Sequence, residues 1–133
     1  MIMKIWYLSA YDQPKGHSSR TYDFSRELVK RGHHVTMFTN SYCHFTHSER
    51  LHPGERWRIE EIDGIRVVWM KTINYKGSGW KRGANMLTNM WRAIQVSRTF
   101  SEKPDVVIGP SVPLGTGWAA YKIAKMNNAA FVF

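Results

Sequence analysis

The stretch from Met3 to Asn40 constrains this chain most, because it holds a strand, a loop, a helix and a second strand whose boundaries each have a local cause. Ile5, Trp6, Tyr7 and Leu8 form a run of large apolar residues without polar alternation, the pattern of a strand buried on both faces. The loop from Ala10 to His17 carries the turn formers Asp12, Pro14 and Gly16. Ser18 and Ser19 follow, with side-chain oxygens able to accept from the free N–H groups of a starting helix. The spacing predicts a helix running to about Arg31. Phe24 and Leu28, flanked by Tyr22 and Val29, supply its apolar face, while Arg20, Asp23, Arg26, Glu27 and Lys30 fall mostly elsewhere. Lys30 and Arg31 in the last turn, with Gly32 after them, match the helix dipole and a left-handed C-terminal cap. Val35 to Thr39 is the second strand. Together these segments form the first β-α-β unit of a parallel sheet.

The rest of the chain extends that unit. Ser41 to Arg56 is polar and histidine-rich and reads as a long surface loop. Arg58 to Ile62 and Ile65 to Lys71 are joined by Asp63 and Gly64, a dipeptide suited to a tight hairpin, and the second arm is the third core strand. Asn74 to Gly83 reads as a loop mixing glycine, aromatic and basic residues. Ala84 to about Ser101 is a helix whose Met86, Leu87, Met90, Trp91 and Ile94 are expected to cover the sheet. Asp105 to Gly109 is a fourth strand. The turn Ser111-Val112-Pro113 leads to a helix with Leu114, Trp118 and Tyr121 on one stripe, closed by Asn127 and Asn128. Ala129 to Phe133 begins a fifth strand. The fold class is therefore α/β, a Rossmann-like, mainly parallel sheet of about five core strands plus a short hairpin strand, with helices on both faces. A buried strand normally continues into a loop and a covering helix. Residues 1–133 are accordingly expected to be the front part of a longer design.

Charge and cysteine usage bound the function. A formal charge of +9 favours partners that carry phosphate or carboxylate groups, such as nucleic acid, anionic lipid or sugar diphosphates. Nucleic acid is disfavoured, since the basic residues are spread over every element and no recognition motif is present. The single cysteine, Cys43, excludes an internal disulfide and fits a reducing compartment. The first residues lack the apolar core of a signal peptide and no run is long enough for a membrane span, so the expected location is cytoplasmic, free or attached at a membrane surface. Cys43, His44 and His47 lie close in sequence, but no second ligand pair stands at a spacing suited to a structural zinc; a histidine-rich loop without metal is the expectation.

The first loop is the natural ligand site of an open α/β sheet. Gly16 permits close backbone approach, and Ser18, Ser19 and Arg20 can donate to phosphate oxygens. The dinucleotide fingerprint is absent, because the loop has one glycine and the second strand ends in Thr39-Asn40. Residue types alone leave a phosphate site and an ordinary capped helix start both open. Tyr75, Lys76, Trp80, Lys81 and Arg82, followed by the Met- and Trp-bearing helix, form a candidate membrane-surface element; the alternatives are a solvated surface loop and a helix that only covers the sheet.

Several segments resemble one family. Met3 to Leu8, Gly16-His17-Ser18-Ser19-Arg20-Thr21-Tyr22 and Glu27-Leu28-Val29-Lys30-Arg31-Gly32-His33 are similar to the N-terminal domain of family 4 glycosyltransferases of the GT-B fold. Glu61 to Val67, Tyr75 to Arg82 with Asn85-Met86-Leu87, and Pro104 to Gly109 resemble the branch that builds bacterial surface polysaccharides, including fucosamine transferase-like members. The resemblance implies a retaining transfer, without cofactor or metal, from a nucleotide-sugar donor to a glycan or lipid-linked acceptor. It implies that Gly16, His17, Ser18, Ser19 and Arg20 lie near the donor diphosphate or the acceptor. Ser111, in the turn after the fourth strand, joins that candidate set. Many members carry two adjacent glycines where Lys15-Gly16 stands here. A C-terminal domain, in cis or in trans, would bind the nucleotide sugar and supply the main catalytic groups, leaving this part nearly inactive alone. A non-catalytic glycan- or phosphate-binding module is the alternative function.

Overall fold

The computed structural model describes residues 2–9, 20–43, 48–49, 51–72, 79–109 and 114–132. β1 (Lys4–Leu8) leads through α1 (Arg20–Lys30) to β2 (His34–Asn40), which is the expected β-α-β unit. A short antiparallel ladder of β3 (Tyr42–Cys43) and β4 (Ser48–Glu49) precedes the hairpin of β5 (Trp57–Ile62) and β6 (Ile65–Met70). α2 (Trp80–Ser97), β7 (Val106–Ile108), α3 (Leu114–Met126) and β8 (Ala130–Val132) follow in order. Six strands form one sheet in the order β5-β6-β2-β1-β7-β8, parallel throughout except at the β5 edge.

Hydrogen-bond pairing fixes β1 in the middle of the crossing order. Trp6 stands opposite Thr36 of β2 and Val107 of β7, and Tyr7 opposite Met37 and Ile108. Successive strand residues point to opposite faces, so each strand feeds two apolar layers. Trp6, Leu8, Phe38, Val68, Met70 and Val107 enter one layer, which α2 and α3 cover with Ala93, Val96, Ala119, Ala120 and Ile123. Ile5, Val35, Met37, Val67 and Trp69 enter the other, which Tyr22, Leu28 and Val29 of α1 help to cover. Large side chains at this depth contribute about 1.5–3 kcal/mol each, which is why the two faces need separate helical covers. The hairpin is tied to α1 by a hydrogen bond from the Tyr22 hydroxyl to the Asp63 carboxylate, and Asp63 and Gly64 take the positive φ values, 51° and 79°, that a two-residue hairpin turn demands.

Four expectations are corrected. α2 begins at Trp80 and not at Ala84, because Gly79 adopts φ 136°, a conformation open to glycine, and turns the chain directly into the helix; the N–H of Gly83 already donates to the Gly79 carbonyl. Leu87 and Trp91 do not cover the sheet: they are 65% and 67% exposed, and the stripe facing inward is Asn85, Asn89, Ala93 and Val96. Phe24 is 53% exposed and meets the Tyr7 ring edge-on at 6.1 Å, while Thr21, Tyr22 and Ser25 are the buried residues of α1. The segment after β2 is not wholly a surface loop, since it contains the β3–β4 ladder and Leu51 is buried in the α1-side layer. Its end is clamped where Arg58 donates through Nη2 and Nε to the Glu55 carboxylate at 2.5 and 3.2 Å, holding that carboxyl below its ordinary range with help from the His52 backbone N–H.

The tightest joint between strand and helix is at Gly109. A Cβ built there would lie 2.6 Å from the Ala120 Cβ and 3.2 Å from the Gly117 Cα. Gly109→Ala must therefore push α3 away from β7. The expected cost is about 1–3 kcal/mol in urea-induced unfolding. Unchanged stability would show that α3 is not held against β7 as described.

Candidate functional site

From β1 the chain steps outward to β2 and β6, then crosses back through α2 to β7 on the other flank of β1. The winding direction thus reverses between β1 and β7. α1 follows β1 on one face of the sheet and α3 follows β7 on the other, so the carboxyl edge between β1 and β7 is the topological switch point, where open α/β sheets take their ligands. All three helices begin at this edge. Their free N–H groups and positive dipole ends favour an anion there. No acidic residue occupies the first turn of α2 or α3, Asp23 stands in that of α1, and Gly79 gives α2 no side-chain cap.

A buried chain of neutral polar side chains anchors the edge. Thr116 Oγ1 donates to Asn89 Oδ1 at 2.9 Å, Asn89 Nδ2 to Asn40 Oδ1 at 2.5 Å, Asn40 Nδ2 to Asn85 Oδ1 at 3.5 Å, and Asn85 Nδ2 to Thr72 Oγ1 at 2.9 Å. Each residue is at most 4% exposed. The five come from the end of β2, the residue region just past β6, two successive turns of α2 and the first turn of α3. Donors aligned head to tail polarise one another, and each amide left without its partner at this depth would cost about 1–3 kcal/mol. The chain therefore fixes the starts of α2 and α3 on the strand ends at the carboxyl edge. Sequence reading passed over these residues, because asparagine and threonine read as turn, cap or surface residues. The available signal was Asn85 and Asn89 four apart within an otherwise apolar helix.

Of the predicted donor or acceptor residues, Gly16, His17, Ser18, Ser19 and Ser111 lie outside the described residues, in segments 10–19 and 110–113. Those segments depart from β1 and β7, which are hydrogen-bonded neighbours, through Ser9 and Gly109. Arg20 is described: it opens α1 at the carboxyl edge and is exposed. In the predicted membrane cluster, Tyr75 and Lys76 also lie outside the described residues. Trp80, Lys81 and Arg82 do not belong to a loop but to the first turn of α2, with Trp80 77% exposed. Cys43 falls in β3, and His44 and His47 lie outside the described residues. Among the described residues no group of three or more His, Cys, Asp or Glu is arranged to hold a metal ion.

A pocket of about 250 Å³ opens at the opposite, amino edge, lined by Lys4, His34, Thr36, Glu61, Arg66 and Glu102 among others. Three of its charged groups are already paired, Lys4 and Arg66 both with Glu102. Arg66 bonds the Glu102 carboxylate, donates from Nε to Thr36 Oγ1 at 3.1 Å and lies 4.9 Å over the Phe100 ring, and Lys4 reaches Glu102 at 3.8 Å. These contacts brace β1, β2 and β6 where α2 returns to β7. The carboxyl edge, where three helices begin and α2 starts without a side-chain cap, is the better candidate site.

The reversal of winding makes this a doubly wound α/β domain, a class whose ligand sites lie at the carboxyl ends of the strands beside the reversal. Residues 15–133 match the glycosyl transferase 4-like domain, and the chain belongs to that family. A comparison with curated proteins returns no match. The matched residues include α2 with Asn85 and Asn89, α3 with Thr116, and Gly109, and membership makes the domain one of glycosyltransferase type, with a sugar donor and an acceptor as its general partners.

The buried polar chain is testable by a double-mutant cycle. Asn89→Ala should lower stability by about 1–3 kcal/mol, and its combination with Thr116→Val should fall short of additivity by at least about 0.5 kcal/mol. Strict additivity in denaturant titrations would dissolve the proposed coupling between α2 and α3.

Proposed function

We propose that this domain is the acceptor-side half of a retaining glycosyltransferase, of the fucosamine transferase-like branch, that moves a sugar from a nucleotide diphosphate to a glycan or lipid-linked acceptor in bacterial surface-polysaccharide synthesis. The observation that carries the proposal is the family match over residues 15–133 on a fold whose switch point lies between β1 and β7. In this reading a second, nucleotide-sugar-binding domain, in cis or in trans, closes over the carboxyl edge. Gly16, His17, Ser18, Ser19 and Arg20 approach the donor diphosphate from one side of the switch point, with Ser111 on the other.

The chemistry assigned to these groups is electrostatic. As the glycosidic bond to the diphosphate breaks, negative charge grows on the leaving phosphate. The backbone N–H groups at the start of α1 and the Arg20 guanidinium would stabilise that charge more than they stabilise the bound donor, which lowers the barrier. The acceptor hydroxyl would enter along the same edge. A lipid-linked acceptor places the domain on the cytoplasmic face of a membrane; among the described residues no helix is long and apolar enough to cross one.

Two measurements test the reading. The 133-residue chain alone should give no sustained transfer or donor hydrolysis when incubated with a panel of nucleotide-diphosphate sugars. Joined to a complementing donor domain, it should turn over, and Arg20→Ala should lower kcat/KM by roughly tenfold to a thousandfold. Arg20 is exposed, so the variant should keep its melting temperature. Sustained turnover by the chain alone would remove the need for a second domain. Full activity of the Arg20→Ala form would remove Arg20 from the diphosphate site. Tight binding of donor or glycan with no turnover under any complementation would favour a non-catalytic binding module.

A further inference from the structure

We infer that the outer face of α2, centred on Trp80, Leu87 and Trp91, docks the domain on an anionic lipid surface. The inference deepens the lipid-linked acceptor proposed above and rests on it for its purpose, but not for its physical basis. Leu87 follows Trp80 by two turns and Trp91 follows Leu87 by one, so the three stand in a line along the helix. They are 77%, 65% and 67% exposed, and they lie directly opposite the buried stripe of Asn85, Asn89, Ala93 and Val96. Arg98, exposed, continues the same line two turns beyond Trp91.

The neighbouring helix extends the patch. α3 packs beside α2 on the same face of the sheet, and Trp118 and Tyr121 are 51% and 47% exposed on its outer side, flanked by exposed Lys122 and Lys125. The two helices of this layer carry charge of one sign: α2 holds Lys81, Arg82 and Arg92 and α3 holds Lys122 and Lys125, with no Asp or Glu in either. An apolar, indole-rich centre with a cationic margin is the composition of a helix lying in the interfacial plane of a bilayer, where tryptophan sits at head-group depth and lysine and arginine meet lipid phosphates.

Other occupants fit less well. A nucleic acid would call for cations along the outermost line, where this helix presents Leu and Trp. A second copy joined through the same face would set two cationic margins against each other. The donor domain of the proposed function would close over the carboxyl edge, whereas this line runs along the back of α2 away from that edge.

Flotation of the full 133-residue chain on acceptor-free vesicles tests the inference. The chain should float with vesicles of equal phosphatidylglycerol and phosphatidylcholine, and not with phosphatidylcholine alone, with the bound fraction falling as salt is raised. Leu87→Glu with Trp91→Glu places two carboxylates on the exposed line and should reduce flotation by at least about tenfold, with a melting temperature within about 2 °C of the parent because both side chains stand in solvent. Parent-like flotation of the double variant would overturn the inference, as would failure of the parent to float on anionic vesicles. Sedimentation equilibrium supplies the remaining check: a parent dimer that the double variant dissolves, with no vesicle binding by either, assigns the face to a second copy and overturns it too. Arg20→Ala should float as the parent does. Loss of flotation with donor binding intact would remove the membrane surface alone, and loss of donor binding with flotation intact would remove the transfer reading alone.

Discussion

β1 is hydrogen-bonded on both sides and buried on both faces, and most of the architecture follows from that one condition. With β2 and β7 as parallel partners, each return to the sheet needs a crossover, and each crossover brings a helix onto a face that must be kept from water. α1 covers the layer that contains Ile5, and α2 and α3 cover the layer that contains Trp6 and Leu8. Because the chain winds one way from β1 to β6 and the other way from β7 to β8, the switch point between β1 and β7 is a consequence of covering both faces. The candidate site exists where it does because the core had to be closed.

The two edges of the sheet carry polar groups of different kinds, and burial explains the difference. At the carboxyl edge the linking residues are almost wholly out of water, where an unpaired charge would be prohibitive, and the links are neutral amides and hydroxyls with their partners in place. At the amino edge Arg66 and Glu102 keep about a third of their side-chain surface in solvent, with relative exposures of 36% and 35%, so ions are tolerated there. Solvent screening keeps such a pair modest in its contribution. The end of the sheet that bears the candidate site is thus the one linked by buried neutral hydrogen bonds.

Features with local causes were legible in the sequence. The β-α-β unit, the left-handed Gly32 with φ 94°, the Asp63-Gly64 hairpin and the alternation of strands and helices each depend on residues a few positions apart. The helix faces were less legible, because an apolar residue on a helix is equally compatible with a core and with an exposed patch until the neighbouring elements are placed. Phe24, Leu87 and Trp91 read as core residues and stand outside, while Asn85 and Asn89, which carry no apolar signal, stand inside. The start of α2 was missed because three glycines within seven positions, Gly77, Gly79 and Gly83, signal a loop, while the backbone of Gly79 turns the chain directly into the helix. Among the site residues, Arg20 was legible as the opening of α1, but the asparagine chain that holds the edge required knowledge of which strand ends meet.

The exposed line on α2 and the buried one are two sides of a single choice of residues. A stripe of Asn, Asn, Ala and Val is narrow, and α3 answers it with Ala119 and Ala120, so the two helices can sit close to each other and to the sheet. Larger side chains on that stripe would lift α2 from β6 and open the amide chain to water. Met90 and Ile94 still pack against the core beside this stripe, while Trp80, Leu87 and Trp91 stand on the opposite side, the counterpart of an inner line specialised for hydrogen bonding. An ordinary covering helix buries its Leu and Trp and exposes its Asn. This helix instead buries two asparagines beside Ala93 and Val96 and exposes Leu87 and Trp91, an uncommon division for a covering helix. The same helix thus carries the hydrogen bonds of the carboxyl edge on one side and the exposed line on the other.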